Sequence, residues 1–475
     1  MKFFKKYLVK GEFFEKSESY LKVFSPQTLE EIASIPIVGE REIIGLYNNL
    51  NVIQKEWEKL GLNKRIEIIK RWIKNIEDNS EEIINITSLE TAKTKVETKV
   101  ELARSIENGK VILEEAKRIK PKAYDGSLFK VKNKLGIFSR VAKGNVLVIS
   151  PFNYPISTPL SKIISALVTG NSVVFKPSTQ GSLVALFLGK LTSDVGFPKG
   201  IINIVTGRGS EISNLILKNN VFNVVTFTGS TKVGKLISEK VTKTELILEL
   251  GGKDTSLVLD DVEVEEVSTK LIKGAFQFSG QRCTAVKRVL VTEKVADQLV
   301  ESLKEKIKEL SSSEIKLKEL IVPLISLKSA NYAFSLIEDA GKQKADVIVG
   351  GQQKANFLYP TLIDHVNLKM KIAHEEQFAP IIPVIRIKSW EEGVQIINAS
   401  NYALQASIFT KDLNLGYKIA EKLDVGTVNL NEVSSRSPDN FPFLGVKDSG
   451  LGCEGLTELL YAFTRPKGIV FNWKN

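Results

Sequence analysis

The stretch NVLVISPFNYPISTPLSKIISALVTGNSVVFKP, residues 145–177, joins a β-rich run to a second one through a proline-stiffened turn and a helical segment. The same alternation continues downstream. The β-rich runs IINIVTG and VVTFTG are separated by the helical segments SLVALFLGKLTSDVG and SEISNLILKNN, and TKVGKLISEKV follows. Parallel strands need crossover connections, so repeated strand–helix–strand units argue for a parallel sheet with helices on both faces. The expected class is α/β, with a Rossmann-like unit over this region.

Working outward, a second α/β series begins near TSLVLDD. It runs through the helix KVADQLVESLKEKIKEL and takes DVIVGG, PIIPVIRI, ASIFT and GTVNLN as strands, so the break between the two units falls near residue 250. Residues 27–120 read as mainly helical, because apolar side chains recur at spacings of three and four in EIIGLYNNLNVIQKEWEKL and RIEIIKRWIKNIEDN. The strand-like pieces 121–144 and FTRPKGIVFNWKN lie outside both series, free to pair with each other or with another subunit.

Composition narrows the function. A chain of 475 residues, 43% apolar and 25% charged, is long enough for two or three domains. Its two cysteines, Cys283 and Cys453, cannot build a disulfide framework. With His365 and His374 as the only histidines, no zinc site of the usual spacing forms, and no metal is expected. A reducing, cytoplasmic setting follows. No apolar run resembles a signal peptide or a membrane span, so no membrane association is expected. The net charge of +11 comes from lysines interleaved with glutamates, as in LKEKIKEL, which argues against nucleic acid and for capture of anionic small molecules. Scarce Cys, Met and His beside abundant Lys, Glu and Ile also resemble heat-adapted composition.

Three residues invite chemistry. Cys283 lies in the glycine-flanked turn of GAFQFSGQRCTAVKRVLV. A thiol near pKa 8.5 needs a helix N-terminus or a cation to act at neutral pH, and Arg282 is adjacent. Its own N–H is placed to face an oxyanion formed on attack. Glu249 ends an apolar run ahead of Gly251 and Gly252. A partly desolvated glutamate there can rise toward pKa 6–7 and activate water, a task that the near absence of histidine leaves open. Asn153, between Pro151 and Pro155, offers an amide donor to a developing oxyanion, worth roughly 3 kcal/mol. Taken singly, each has a bland reading: a packed thiol, a strand-end carboxylate, a turn asparagine.

Together, PFNYP, FTGSTKVG, ELGGK, GQRC, EEQFAP and FPFLGVKDSGLG, in that order, resemble the aldehyde dehydrogenase superfamily over essentially the whole chain. The resemblance implies NAD(P)-dependent oxidation of an aldehyde to an acid. It also implies a cofactor domain (1–120 and 145–249), a catalytic domain (250–430) and oligomerisation strands (121–144 and 460–475) of a homotetramer built as a dimer of dimers. Cys283 becomes the nucleophile, Asn153 and the Cys283 N–H the oxyanion donors, and Glu249 the base for thioester hydrolysis. Members that pass the acyl group to coenzyme A typically lack this glutamate, so a free acid is the expected product.

The resemblance also assigns the cofactor contacts Lys176, Ser178 and Thr179 of KPST, Gly229 and Ser230 of GST, and Glu376 and Phe378 of EEQFAP, where Ala379 replaces the usual glycine. NAD-preferring relatives often carry a glutamate three residues after the lysine. Thr179 stands there instead and leaves room for a 2′-phosphate, so NADP is expected, with NAD also accommodated. Ser230 and the amides that follow suit a pyrophosphate. KPSTQGS, TGRGSEI, GQRCTAVKRVLV and PDNFPFLG look most like the branch that converts glyceraldehyde 3-phosphate to 3-phosphoglycerate without phosphorylation. Arg282 and Arg436 are then the phosphate cations, with Tyr154 and Arg104 as further contacts. Succinic semialdehyde, lactaldehyde or unphosphorylated glyceraldehyde remain alternative substrates, and a catalytically silent structural role is a reading of a different class.

Overall fold

A computed structural model describes residues 7–10, 12–14, 17–217 and 221–473. The chain opens with a hairpin, β1 (Tyr7–Val9) and β2 (Glu12–Phe14), and a second one, β3 (Tyr20–Phe24) and β4 (Glu31–Pro36). Four helices follow: α1 (Glu40–Lys59), α2 (Gly61–Asp78), α3 (Ser80–Thr91) and α4 (Lys95–Arg118). The helical region therefore starts at Glu40 rather than near residue 27. Pro36 has no N–H to give a helix, Gly39 is extended at the helix N-cap, and pairing with β3 sets buried Leu21 opposite buried Ile35. In α2 the buried positions Ile66, Ile69, Trp72, Ile73 and Ile76 fall on one face, the spacing that marked it as helical.

β5 (Lys122–Asp125) and β6 (Lys134–Ala142) leave this layer, and the first α/β unit begins. Its strands are β7 (Asn145–Ile149), β8 (Ser172–Lys176), β9 (Ile202–Ile204), β10 (Val224–Thr228) and β11 (Glu245–Glu249). The intervening helices are α5 (Ser157–Val168), α6 (Ser182–Lys190), α7 (Gly209–Leu217) and α8 (Thr231–Lys240). The five strands run parallel in the order β9-β8-β7-β10-β11, extended by β1 and β2 on one edge. β8 and β10 are buried along their whole length, as strands covered by helices on both faces must be.

The second sheet starts at β12 (Thr255–Val258). After α9 (Val264–Phe276), β13 (Arg288–Thr292), α10 (Glu293–Ser311), α11 (Glu314–Leu320) and α12 (Leu327–Lys342), it takes in β14 (Asp346–Val349). A small hairpin, β15 (Gln353–Lys354) and β16 (Phe357–Leu358), precedes β17 (Thr361–Asp364) and β18 (Ile381–Ile387). Next come α13 (Trp390–Asn398), β19 (Tyr402–Ala403), β20 (Gln405–Phe409), α14 (Leu413–Ala420) and β21 (Thr427–Leu430), giving the order β14-β17-β18-β13-β12-β20-β21. The chain then turns back. β22 (Val446–Lys447) pairs with β19, and β23 (Gly450–Leu451) joins the first sheet antiparallel to β11, with Gly450 opposite Glu249. This return had no signal in the strand pattern, because two residues carry no periodicity.

α15 (Leu456–Ala462) leads into β24 (Thr464–Asn472), which pairs antiparallel with β6 over nine residues; β5 completes the three-stranded sheet. The terminal strand thus starts at Thr464, and residues 460–462 are still helical. Among the described residues no helix is long and apolar enough to cross a membrane.

Candidate active site

A cavity of ≈ 1080 Å³ opens at the carboxyl ends of the first parallel sheet and reaches the Cys283 turn. Every residue singled out in the sequence for catalysis, cofactor or substrate lines this one cavity.

Cys283 follows an unusual piece of backbone. Phe278, Ser279 and Gly280 all have positive φ, at 52, 53 and 67°. Two non-glycine residues in this region carry a cost, met here by specific bonds. Ser279 Oγ donates to the Val322 carbonyl at 2.6 Å and accepts from the Val322 N–H at 2.7 Å, and Gln281 Oε1 accepts from the Ile325 N–H at 2.9 Å. At Gly280 only hydrogen fits, since a Cβ would lie 2.6 Å from the Ala379 carbonyl oxygen.

Glu249 is placed by β11 and held from both sides: its carbonyl accepts from the Gly229 N–H, and the next residue, Leu250, donates to the Ser449 carbonyl brought by β23. Its side chain is buried, and Oε1 has no hydrogen-bond partner. Burial, then the negative charge of Glu454, push its carboxyl up to about 7, against the pull of Arg436, Lys162 and a hydrogen bond from the Cys283 thiol. Burial and the neighbouring Glu249 charge raise the Cys283 thiol well above its ordinary value, with Lys287 and Arg436 pulling the other way. The thiol is thus not a standing thiolate. Arg282, expected beside it, instead turns its guanidinium to the Gly274 carbonyl at 2.6 Å. What Cys283 has in contact is a carboxyl that titrates near neutrality and is free to take its proton.

Asn153 Nδ2 donates to the Gln281 carbonyl at 2.9 Å, two residues before Cys283. Its backbone carbonyl accepts from Lys93 Nζ at 2.9 Å. Lys93 is buried, pairs with Glu101 at 2.6 Å, and sits 4.0 Å from the Tyr154 ring centroid and 5.1 Å from that of Phe278. The other oxygen of Glu101 accepts the N–H groups of Ile156 and Ser157 at 3.0 Å, at the start of α5. One buried ion pair therefore moors the whole turn that carries Asn153.

The remaining cavity suits a polyanionic nucleotide. Lys176 ends β8 buried without a paired carboxylate among the described residues, and burial lowers it to about 8, still largely charged at neutral pH. Ser230 is the N-cap of α8, yet its hydroxyl makes no capping bond, leaving hydroxyl and first-turn amides for a ligand. At Gly229 a Cβ would meet the Phe227 ring at 2.5 Å. Glu376 Oε1 accepts the Gly252 N–H at 3.1 Å and lies 3.3 Å from Lys287 Nζ; Phe378 packs edge-on against Phe152. Ser178 bonds the Gln180 carbonyl, and Thr179 lines the wall beside it. No cluster of metal-ligating side chains occurs among the described residues.

Two of the three arginines already hold carboxylates. Arg104 pairs with Asp439 and donates to the Arg436 carbonyl, while Arg436 Nη2 lies 3.0 Å from Glu454 Oε2 and its guanidinium stacks 4.7 Å from the Phe443 ring. Glu454 in turn pairs with Lys162 at 2.7 Å. Lys93, Glu101, Lys162 and Glu454 were not foreseen in the sequence. Lys162 did leave a signal, the lone charge in the uncharged segment PLSKIISALV of a helix buried from Thr158 to Val168. Glu454, 292 positions away, left none.

Residues 13–469 match the sequence profile of the aldehyde dehydrogenase family. The chain is 39% identical to the NADP-dependent glyceraldehyde-3-phosphate dehydrogenase of Streptococcus equinus over 466 residues, 98% of each chain. It is 32% identical to the lactaldehyde dehydrogenase of Methanocaldococcus jannaschii, over 95% of this chain and 97% of that one. Among solved structures, the NADP-dependent glyceraldehyde-3-phosphate dehydrogenase of Bacillus halodurans C-125, complexed with NADP, superposes with a TM-score of 0.96 at 39% identity, covering 99% of both chains. With this match over nearly the full length, and with thiol, carboxyl and amide gathered at the end of a parallel sheet, the chain belongs to the aldehyde dehydrogenase family.

Proposed function

We propose that the protein oxidises glyceraldehyde 3-phosphate to 3-phosphoglycerate, with NADP as cofactor and without inorganic phosphate. The observation that carries this reading is the contact of Cys283 with Glu249 in a cavity that Arg282 and Arg436 also line. In the first step the Cys283 sulfur bonds to the aldehyde carbon as its proton passes to Glu249. The oxygen becomes an oxyanion held by the Asn153 amide and the Cys283 N–H, donors worth roughly 3 kcal/mol each. Lys176, Ser178, Thr179, Gly229, Ser230, Glu376 and Phe378 would hold NADP, which when bound would supply the hydride acceptor needed to oxidise the cysteine adduct to a thioester. Glu249 releases the thiol's proton to solvent and then takes a proton from water, which it returns to the departing sulfur. The resulting hydroxide adds to the thioester carbonyl, and the sulfur leaves with the acid free. Arg282 and Arg436 hold the phosphate, aided by Tyr154 and Arg104.

The three-stranded sheet supports self-association as a dimer of dimers, since Tyr124, Ile469 and Phe471 lie exposed on it and Phe129 in the turn between β5 and β6. Both cysteines are free thiols, which suits the cytoplasm. Oxidation of a small unphosphorylated aldehyde such as lactaldehyde is a second reading, favoured by the engagement of Arg104 and Arg436 with Asp439 and Glu454. The test is absorbance at 340 nm in phosphate-free buffer. Glyceraldehyde 3-phosphate with NADP is expected to give NADPH with a higher kcat/KM than lactaldehyde or glyceraldehyde, and the reverse order would transfer the assignment to the second reading.

A further inference from the structure

The ion pair between Arg436 and Glu454 joins two parts of the site that have separate tasks in the reaction. Arg436 lines the cavity where the substrate's phosphate is assigned, and its side chain is 27% exposed. Glu454, 2% exposed, is wedged between Arg436 at 3.0 Å and the fully buried Lys162 at 2.7 Å. Lys162 also donates to Thr228, at the end of the strand beside β11. Glu454 cannot move away, because its backbone makes two bonds with Phe443 at 2.6 and 2.7 Å, and the Phe443 ring underlies the Arg436 guanidinium. Burial alone would raise the Glu454 carboxyl; Lys162 and Arg436 together hold it below the ordinary range.

Glu249 is the neighbour that feels this arrangement. The charged and titratable groups acting on it are Glu454, Arg436, Lys162 and Cys283. We infer that occupancy of Arg436 by the substrate's phosphate is felt at the Glu249 carboxyl, and that Glu454 is the positioning residue that holds Arg436 where this relay works. The inference rests on the reading of Arg436 as a phosphate contact. A phosphate dianion on Arg436 offsets the positive charge of the cluster that lines the cavity, while Glu454 stays fixed beside Lys162. The potential at Glu249 becomes more negative, and the carboxylate holds a proton more strongly. A phosphorylated substrate thereby strengthens the base that must hydrolyse its own thioester, and an unphosphorylated aldehyde does not.

The test is the acid limb of the steady-state rate after the burst, measured with glyceraldehyde 3-phosphate and with glyceraldehyde. In the wild-type protein the limb is expected to lie higher with the phosphorylated substrate, by about half a pH unit or more. Adding phosphite dianion is expected to move the glyceraldehyde limb toward the same position. In Glu454→Gln both limbs should coincide and lie lower; Glu454 acting only as structural support would leave the difference between substrates in place. Coincident limbs in the wild-type protein, with no effect of phosphite, overturn the relay even if Glu454→Gln does not fold. Arg436→Gln separates the two ideas. A raised KM for glyceraldehyde 3-phosphate with coincident limbs supports the relay, a raised KM with the limbs still apart overturns the relay alone, and an unchanged KM removes the phosphate contact and the relay with it.

Discussion

Glu249 meets two opposed demands at the residue scale, being buried enough to be a strong base yet able to ionise near neutral pH. Its folded-state value of about 7 exceeds the ordinary 4.5 because burial and Glu454 both oppose the charge. In the proposed mechanism the rate therefore falls as pH drops through about 7. Stability follows the opposite sense. The folded protein binds the extra proton between these two values, so the carboxyl costs nothing below the unfolded value, and its cost grows as pH rises through the folded one. Glu249→Gln removes that cost, so its Tm relative to wild type is expected to climb between about pH 5 and pH 8, by the equivalent of at most about 3 kcal/mol. A Tm difference flat across this range would contradict a buried ionising carboxyl. The same variant lacks the acceptor for both the thiol's and the water's proton, so its NADPH burst should slow and its steady-state turnover fall about 100-fold or more, which rapid-mixing absorbance can follow.

At the scale of elements, the site depends on two short clamps. The positive-φ turn before Cys283 is pinned to Val322 and Ile325, and Gly280→Ala puts a Cβ against the Ala379 and Ala275 carbonyls at 2.6 and 2.8 Å. That substitution is expected to lower Tm and cut kcat together, by a shift of the thiol rather than by its loss. The Asn153 turn hangs on Lys93 and Glu101. Breaking a buried pair by removing one charge costs about 3–5 kcal/mol, so Glu101→Gln should unfold at a visibly lower temperature in calorimetry and lose kcat more than KM. Cys283, Glu249 and Asn153 could be read from the sequence because each sits in a compact motif with glycines or prolines at fixed offsets. Their supports could not: the Lys93 bond to Asn153 spans 60 positions and Arg104 reaches Asp439 across 335, distances at which sequence carries no period. The strand–helix alternation from residue 145 read through to the parallel sheet for the converse reason, since each unit is local. The region near residue 31 misled because its apolar spacing fits either a helix or a strand.

For the whole molecule, exposed apolar residues gather at the three-stranded sheet, where Leu128 and Phe129 in the turn between β5 and β6 are 83 and 84% exposed, Ile469, Val470 and Phe471 lie along β24, and Trp473 follows it. An exposed apolar cluster of this kind marks an interaction surface. Phe471→Lys paired with Ile469→Lys is expected to shift the protein to a smaller species in light scattering without altering the far-ultraviolet circular dichroism of the chain. An unchanged mass would move the association surface elsewhere.

The antiparallel return of β23 onto β11 gives synthesis an order. By the time a ribosome has made the first 440 residues, the sulfur and the carboxyl already exist, but the Ser449 carbonyl that grips Leu250 and the Glu454 charge behind Glu249 do not. The last stretch of chain acts as a key turned at the end of translation, so an unfinished polypeptide carries the thiol and its carboxyl neighbour before the groups that grip and tune that carboxyl.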